Sequence, residues 1–195
     1  VIDAAMTDGS ALLMNAIFGM MNTGAWKPER GTNLLDTGAH FYGTFETKDR
    51  QHISIGSIEP QFYAQLLEKT GLKDDERFQK QMDRALWPEL KTVLETIFKT
   101  KTRDEWDEIM LGTDICYAPV LNLTDAAAHP HNRERRTFVE SAGILQAAPA
   151  PRFSRTEPEM PSAPVAPGAQ TDQILKSAGV SEEEIRALKD SGAIA

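Results

Sequence analysis

The sequence predicts a mixed α/β fold that includes a small α+β domain, and three patterns point to it. Strand-type alternation of polar and apolar residues occurs on both sides of a charged turn at 48–51. Apolar residues recur at helical spacing in several other segments. Six of the eleven prolines fall between positions 147 and 168, a density that excludes regular structure there.

The first elements run from an N-terminal helix to a hairpin. Residues 1 to about 21 are rich in Ala, Met and Leu, and they predict a helix that Thr23-Gly24 ends. Residues sharing much of one face of this helix are Met6, Leu13, Ile17, Met20 and Met21. Residues 41–45 and 52–55 then predict two antiparallel strands joined by the charged turn.

Helices dominate the remainder. Pro60 begins a helix that Gly71 ends, and residues 87–98 predict a longer one with an apolar stripe. Thr102 with Glu105 forms a capping box for a third helix, and residues 116–120 predict a short buried strand or extended turn. Short helices at 171–177 and after Ser181, which Glu184 completes as a second capping box, close the chain.

Composition restricts the partners. The chain has 195 residues with 29 acidic and 21 basic side chains, so its net charge of −8 disfavours nucleic acid and anionic membranes. No apolar run approaches the ~18 residues of a membrane span. The single cysteine, Cys116, excludes an internal disulfide and a multi-cysteine zinc site. Because the chain opens on an apolar stretch without an initiator Met, we interpret it as the C-terminal part of a longer polypeptide. Cytoplasm is the default location, since the sequence contains no signal peptide.

Most candidate chemical groups favour an ordinary structural interpretation. Phosphate-binding glycine loops and the G-x-S-x-G elbow are absent from the sequence. His129 and His131 lack a Cys or carboxylate at ligand spacing, so we predict no metal site. The basic run at 133–136 could contact a phosphate, although its charge pattern favours a solvated face. Cys116 has no neighbouring cue to thiolate activation, which favours buried packing.

Glu59 is the most informative position. It lies between the second strand and the helix that begins at Pro60, where a carboxylate meets the positive end of a helix dipole. Composition alone favours a simple end-charge effect. Its place at a sheet edge beside glycines also suits a site residue.

At this segment the sequence resembles the C-terminal half of the α-methylacyl-CoA racemases, which belong to the family III CoA-transferase superfamily. The Ile-Glu-Pro-Gln-Phe block at 58–62 is specific to the racemase branch. The segments that carry the resemblance are LLDTGAHFY at 34–42, GSIEPQFY at 56–63, GTDICYAPVL at 112–121, HPHN at 129–132 and PAPRFSRT at 149–156.

The resemblance implies the C-terminal portion of a two-domain fold in an interlocked homodimer. Residues 1–22 would end a large Rossmann-like domain, and 31–132 would form the small α/β domain. Residues 133–168 would be a Pro-rich return linker, and 169–195 would be C-terminal helices packed on the large domain. The active site would lie between the large domain of one subunit and the small domain of the other.

The resemblance also implies an isomerase that epimerises 2-methylacyl-CoA thioesters at C2 through an enolate. Coenzyme A would enter as part of the substrate, with no metal or redox cofactor. The acid and base, a His and an Asp, would lie upstream, because neither Asp3 nor Asp8 matches the family's catalytic context. The chain alone would then be inactive. Glu59 matches the Glu that hydrogen-bonds the catalytic His, and Tyr42 matches a pocket tyrosine near the thioester.

Two departures and two alternatives accompany this interpretation. His40 replaces the family's usual Pro, which would alter the pocket rim, and Gln170 stands where the family often has His.

The first alternative is a CoA-transferase acting through an aspartyl-CoA intermediate, a branch that often carries a glycine run before the hairpin. Residues 36–40 contain no such run. The second alternative is a non-catalytic dimerisation module.

Overall fold

The computed structural model describes residues 1–160 and 162–194. The chain divides into two compact units, Val1–Asn122 and Leu123–Ala195. Each unit contains its own small antiparallel sheet. The mixed α/β class predicted from the sequence is confirmed.

Two short helices open the first unit. They are α1, Met6–Leu13, and α2, Asn15–Asn22, and neither contains a buried residue. The sequence predicts one helix here, but the structure has two, separated at Met14, whose φ and ψ are −80° and 0°. The predicted apolar face is therefore not buried: Met6, Leu13 and Met21 are exposed, and Ile17 and Met20 are only partly buried. Its assignment to the end of a large domain stays a prediction.

A three-stranded antiparallel sheet organises the first unit. Strands β1, Tyr42–Glu46, and β2, His52–Gly56, pair in register around the predicted charged turn, with Tyr42 opposite Gly56. Strand β3, Tyr117–Val120, pairs with the other edge of β2. Alternation buries Phe45, Ile53 and Ile55 on one face, because successive side chains of a strand point to opposite sides.

Three helices cover the buried face of this sheet. Helix α3, Pro60–Thr70, begins at the predicted proline and ends at Gly71, whose φ of 74° is the left-handed conformation of a glycine C-cap. Helix α4 is Trp87–Phe98, and α5, Arg103–Met110, starts with the predicted Thr102–Glu105 capping box. Between α3 and α4, a 3₁₀ turn at Glu76–Gln79 buries Phe78.

The core of the first unit lies between the sheet and these helices. Aromatic and aliphatic side chains of α3, α4 and α5 pack there against those of β1 and β2. The connecting segments complete the core with Ala39, Phe41, Leu72, Phe78 and Ile115. Trp106 is 2% exposed, and its indole nitrogen donates to the carbonyl of Phe98 at 2.9 Å. Burying this donor costs little because it has a partner.

The second unit contains a hairpin that sequence analysis did not predict. Helices α6, Leu123–Ala128, and α7, Pro130–Glu134, precede strands β4, Phe138–Ser141, and β5, Ile144–Ala147. The hairpin lies inside the segment 133–168 predicted as a return linker. Its turn is made by Ala142 and Gly143, both with positive φ, and an Ala at the first position gives little signal for such a turn.

Helices α8, Thr171–Ser177, and α9, Glu182–Asp190, close the chain as predicted, with the Ser181–Glu184 capping box present. Two ion pairs connect them, Lys176–Glu182 at 2.6 Å and Lys189–Asp172 at 2.8 Å. No helix or strand is formed among the described residues of 148–170. The four-part domain division implied by the resemblance stays a prediction.

Gly38 fills a position that no other residue fits. A Cβ there would lie 2.5 Å from the carbonyl carbon of Thr32 and 2.6 Å from both the backbone nitrogen and the backbone oxygen of Asn33. Backbone atoms cannot move aside as a flexible side chain can. Gly38 also donates its N–H to the Asn33 carbonyl at 3.0 Å, which fixes the approach.

Replacing Gly38 by Ala is therefore expected to lower the free energy of unfolding by about 1–3 kcal/mol, the usual cost of overpacking. Urea unfolding followed by circular dichroism measures it. The control is Gly19→Ala in α2, where a Cβ meets nothing within 4 Å. This change is expected to leave the midpoint unchanged or raise it. Equal midpoints for the two variants would contradict the predicted clash.

Candidate active site

The candidate site lies where β2 ends and α3 begins. Glu59 is the N-cap residue of α3, with extended φ and ψ of −72° and 140°. Its carbonyl accepts from the N–H groups of Phe62 and Tyr63 at 3.0 Å. The carboxylate does not cap the helix. Glu59 thus lies at the predicted strand-to-helix junction, and its carboxylate makes no hydrogen bond to the backbone N–H groups of α3.

The Glu59 carboxylate is exposed and available to a partner. Within residues 1–160 and 162–194 it makes no hydrogen bond or ion pair. The helix dipole favours a negative charge at this end without occupying its oxygens. An external donor such as an imidazole N–H could therefore bind it.

The turn that carries Glu59 is held from several directions. Gly56 donates to the carbonyl of Cys116, and Ser57 donates its N–H to the carbonyl of Phe41, both at 3.0 Å. The buried Ser57 hydroxyl donates to the carbonyl of Ile115 at 2.6 Å. We call residues 56–59 the pinned turn, since Phe41 just before β1 and Ile115 and Cys116 just before β3 all hydrogen-bond to it.

Gln81 also holds the pinned turn. Its side-chain nitrogen donates to the carbonyls of Ser57 at 3.0 Å and Ile58 at 2.9 Å. Its own carbonyl accepts from the indole of Trp87 at 2.8 Å, which anchors it to α4. Sequence analysis missed Gln81, because it lies more than twenty residues from the turn and belongs to no recognisable local motif.

Tyr42 and Cys116 border the pinned turn. A Cβ at Gly56 would lie 3.5 Å from the Tyr42 ring and 3.8 Å from the Cys116 Cβ. Tyr42 is half-buried at the start of β1. The structure thus brings both predicted site residues, Tyr42 and Glu59, to the same end of the sheet. Their roles toward a thioester and a catalytic His stay predictions.

The prediction that Cys116 is buried is wrong. The residue before it, Ile115, is fully buried, and Cys116 turns outward with a left-handed φ of 59°. Partial desolvation and the charges of Glu59 and Asp114 raise the pKa of the thiol. The thiol is therefore not activated, in agreement with the absence of a sequence cue.

The prediction that His40 alters a pocket rim is also wrong. The imidazole is fully buried, and it packs edge-on against Phe41 at 5.0 Å between ring centroids and against Tyr63 and Phe78 at 5.6 Å. Burial lowers its pKa to about 4. His40 is a neutral core residue.

Hydrogen bonding fixes the tautomer of His40. The Tyr63 hydroxyl donates to the carbonyl of Phe78 at 3.0 Å, so its only proton is used. The contact of 2.7 Å between His40 Nε2 and the same hydroxyl must then have Nε2–H as the donor. Nδ1 carries the lone pair, and it has no partner in the described part of the chain.

The remaining candidates do not join this site. His129 is the N-cap residue of α7 and His131 lies within that helix. Among the described residues, no group of three or more His, Cys, Asp or Glu side chains is placed to hold a metal ion. Arg133 and Arg135 are exposed. In the same described ranges, no helix has the length and apolar character needed to cross a membrane.

Comparisons with known proteins define the class. The sequence model of CoA-transferase family III matches residues 1–172. A solved CAIB/BAIF family protein from Brucella suis shares the fold, with a TM-score of 0.66 and 21% identity over 88% of this chain and 45% of that one. The chain belongs to CoA-transferase family III.

The curated relatives show which members of the family this chain is similar to. This chain is 44% identical over 191 residues to an α-methylacyl-CoA racemase of Mus musculus and 41% identical to that of Homo sapiens. Each alignment covers 96% of this chain and 50% of the racemase. The chain thus spans about half the length of the curated relatives it matches. The family predicted from the sequence is confirmed.

Proposed function

We propose that this chain supplies one half of an α-methylacyl-CoA racemase, an isomerase that inverts C2 of 2-methylacyl-CoA thioesters. The observation that carries the proposal is the pinned turn with an exposed Glu59 carboxylate. It lies within the racemase-type Ile-Glu-Pro-Gln-Phe block, and the similarity to racemases extends over nearly the whole chain.

The proposed reaction needs only proton transfers. The thioester carbonyl acidifies the α-proton, a base removes it to form an enolate, and an acid returns a proton to the opposite face. Coenzyme A is part of the substrate, and the mechanism calls for no metal or redox cofactor. The acid and base, a His and an Asp, would come from outside this chain.

Glu59 would act as a positioning residue for that His. A carboxylate that accepts from one imidazole nitrogen fixes the tautomer and stabilises the imidazolium form. The exposure of Glu59 supports this role, because a buried or already paired carboxylate could not reach a residue from another part of the protein. Tyr42, beside the same turn, would border the thioester.

The proposal extends to the assembly. We infer a cytoplasmic homodimer with interlocked subunits, in which the catalytic His reaches Glu59 across the subunit boundary. The resemblance supports this arrangement. It also accounts for a site residue left without a partner within the described chain.

Solvent deuterium distinguishes racemisation from transfer. Full-length protein containing this chain, incubated in D₂O with one epimer of a 2-methylacyl-CoA, is expected to place one deuterium at C2 without an acceptor acid. Racemisation breaks the α-C–H bond, whereas CoA transfer breaks only the thioester. Mass spectrometry and chiral chromatography measure exchange and inversion together.

A transferase would give the opposite pattern. It would move CoA to an added carboxylic acid, form an acyl-enzyme that hydroxylamine traps, and leave C2 unlabelled. That result would establish the first alternative. The absence of both exchange and transfer would favour the non-catalytic dimerisation module. The 195-residue chain alone serves as the negative control, since the proposed acid and base lie outside it.

A further inference from the structure

The second unit contains a cavity that the proposed function does not use. Its volume is about 610 Å³, and it lies between strand β4 and the segment that follows the hairpin. Arginines from two separate stretches of sequence, Arg136, Arg152 and Arg155, line its wall. The charge run at 133–136 is therefore divided. Arg133 and Arg135 lie outside the cavity lining, while Arg136, which is exposed like them, joins two distant arginines there.

One of these arginines builds the cavity. The Arg152 guanidinium donates to the carbonyl of Arg135, and also to that of Arg136 at 3.0 Å. It thereby ties the 148–160 segment to the end of α7. Ala148 adds a backbone bond to Thr137 at 2.9 Å. The wall is held by main-chain contacts rather than by a charged partner.

The other two arginines have no anionic partner. In the part of the chain that the structure describes, the side chains of Arg136 and Arg155 make no hydrogen bond or ion pair. Three arginines and the single carboxylate of Glu157 leave this wall with a net charge of +2. The net charge of +2 matches a dianionic phosphate. The planar guanidinium group can also donate two parallel hydrogen bonds to two phosphate oxygens.

An apolar surface continues from the charged end. Val139, Phe153 and Met160 line the cavity, and Phe153 is 60% exposed. Ligand cavities of about 300–1,000 Å³ usually combine such an apolar lining with a few convergent polar groups. The cavity therefore favours a ligand with an anionic head and an apolar or aromatic body.

We propose that this cavity binds an organic phosphate monoester, with the phosphate at Arg136 and Arg155 and the organic body against Phe153 and Met160. We assign none of these residues a role in the proposed epimerisation. An alkyl phosphate and a nucleoside monophosphate share this chemistry. They differ in the body, which is flexible in the first and a flat ring able to stack on Phe153 in the second.

Isothermal titration calorimetry of the protein with octyl phosphate, adenosine 3′-monophosphate and inorganic phosphate tests the site. An organic monoester that binds is expected to do so with one-to-one stoichiometry. Its Kd is expected to be at least about tenfold lower than that of inorganic phosphate, because only the organic monoester buries apolar surface. The tighter of the two organic probes identifies the kind of body. Failure of both to exceed inorganic phosphate would overturn the proposal.

Matched variants locate the binding. Arg155→Gln is expected to weaken the better probe about tenfold, the usual effect of losing a charge-assisted contact. Arg133→Gln removes the same charge from an exposed residue outside the cavity, and it is expected to change affinity less than twofold. Equal weakening by the two variants would indicate diffuse charge attraction and overturn the site. Unchanged circular dichroism spectra and unfolding midpoints show that both variants fold.

Discussion

Glu59→Gln in the full-length protein is expected to lower kcat for epimerisation by about 10- to 1000-fold, the range of acid–base effects. Gln keeps the size of the side chain but cannot stabilise an imidazolium as a carboxylate does. The fold is expected to persist, because Glu59 is exposed and its side chain does not cap α3. Deuterium exchange at C2 should fall in parallel with inversion.

A pH profile separates this positioning role from a structural one. A carboxylate beside an imidazole raises the pKa of that imidazole, so its loss should move the acidic limb of kcat/KM to lower pH. The control is Glu68→Gln, which removes the same charge from an exposed residue of the same helix. If Glu59→Gln left kcat and the pH profile unchanged and lowered the stability only slightly, Glu59 would act only through its favourable interaction with the dipole of α3.

The protein is expected to lose about 2 kcal/mol of unfolding free energy between pH 7 and pH 5 through His40. Burial lowers the pKa of this histidine to about 4 from an ordinary value of 6.5. The unfolded chain therefore binds the proton first, and acid favours unfolding. The stabilisation is fully present above pH 6.5 and is lost as the pH falls toward 4.

Urea midpoints at pH 7 and pH 5 measure this loss. Aspartates and glutamates with lowered pKa values contribute mainly below pH 5, outside the chosen window. His40→Gln should remove most of the difference between the two midpoints, and the exposed His52→Gln should retain it. The NMR shift of the His40 ring protons supplies a second measurement, which needs no variant. An imidazole that titrates near pH 6.5 would contradict the prediction.

Local patterns were sufficient for most of the secondary structure. The hairpin at 42–56, the Pro60 start and Gly71 end of α3, helix Trp87–Phe98 and both capping boxes follow from neighbouring residues. The hairpin at 138–147 was missed because its turn contains an Ala in the left-handed region, which the residue type does not favour.

The candidate site could be predicted only in part from the sequence. Glu59 and Tyr42 were found through sequence motifs. Their proximity depends on the pairing of Tyr42 with Gly56. Gln81 and Ser57 contribute through bonds to residues 23–24 and 58 positions away, which no local spacing reveals. His40 and Cys116 were misplaced because burial there depends on tertiary packing rather than on residue type.

The pinned turn affects the entropy of any complex that Glu59 forms. Its backbone is already immobilised by Phe41, the segment before β3 and Gln81, so binding an imidazole need not order a loop. Only the torsions of the Glu59 side chain remain to be restricted, at a cost of about 0.5–1.5 kcal/mol. A mobile loop would add about 1–2 kcal/mol for every backbone residue it had to order. Most of the conformational entropy that must be lost to orient the carboxylate is therefore already lost when the sheet folds, before any complex forms.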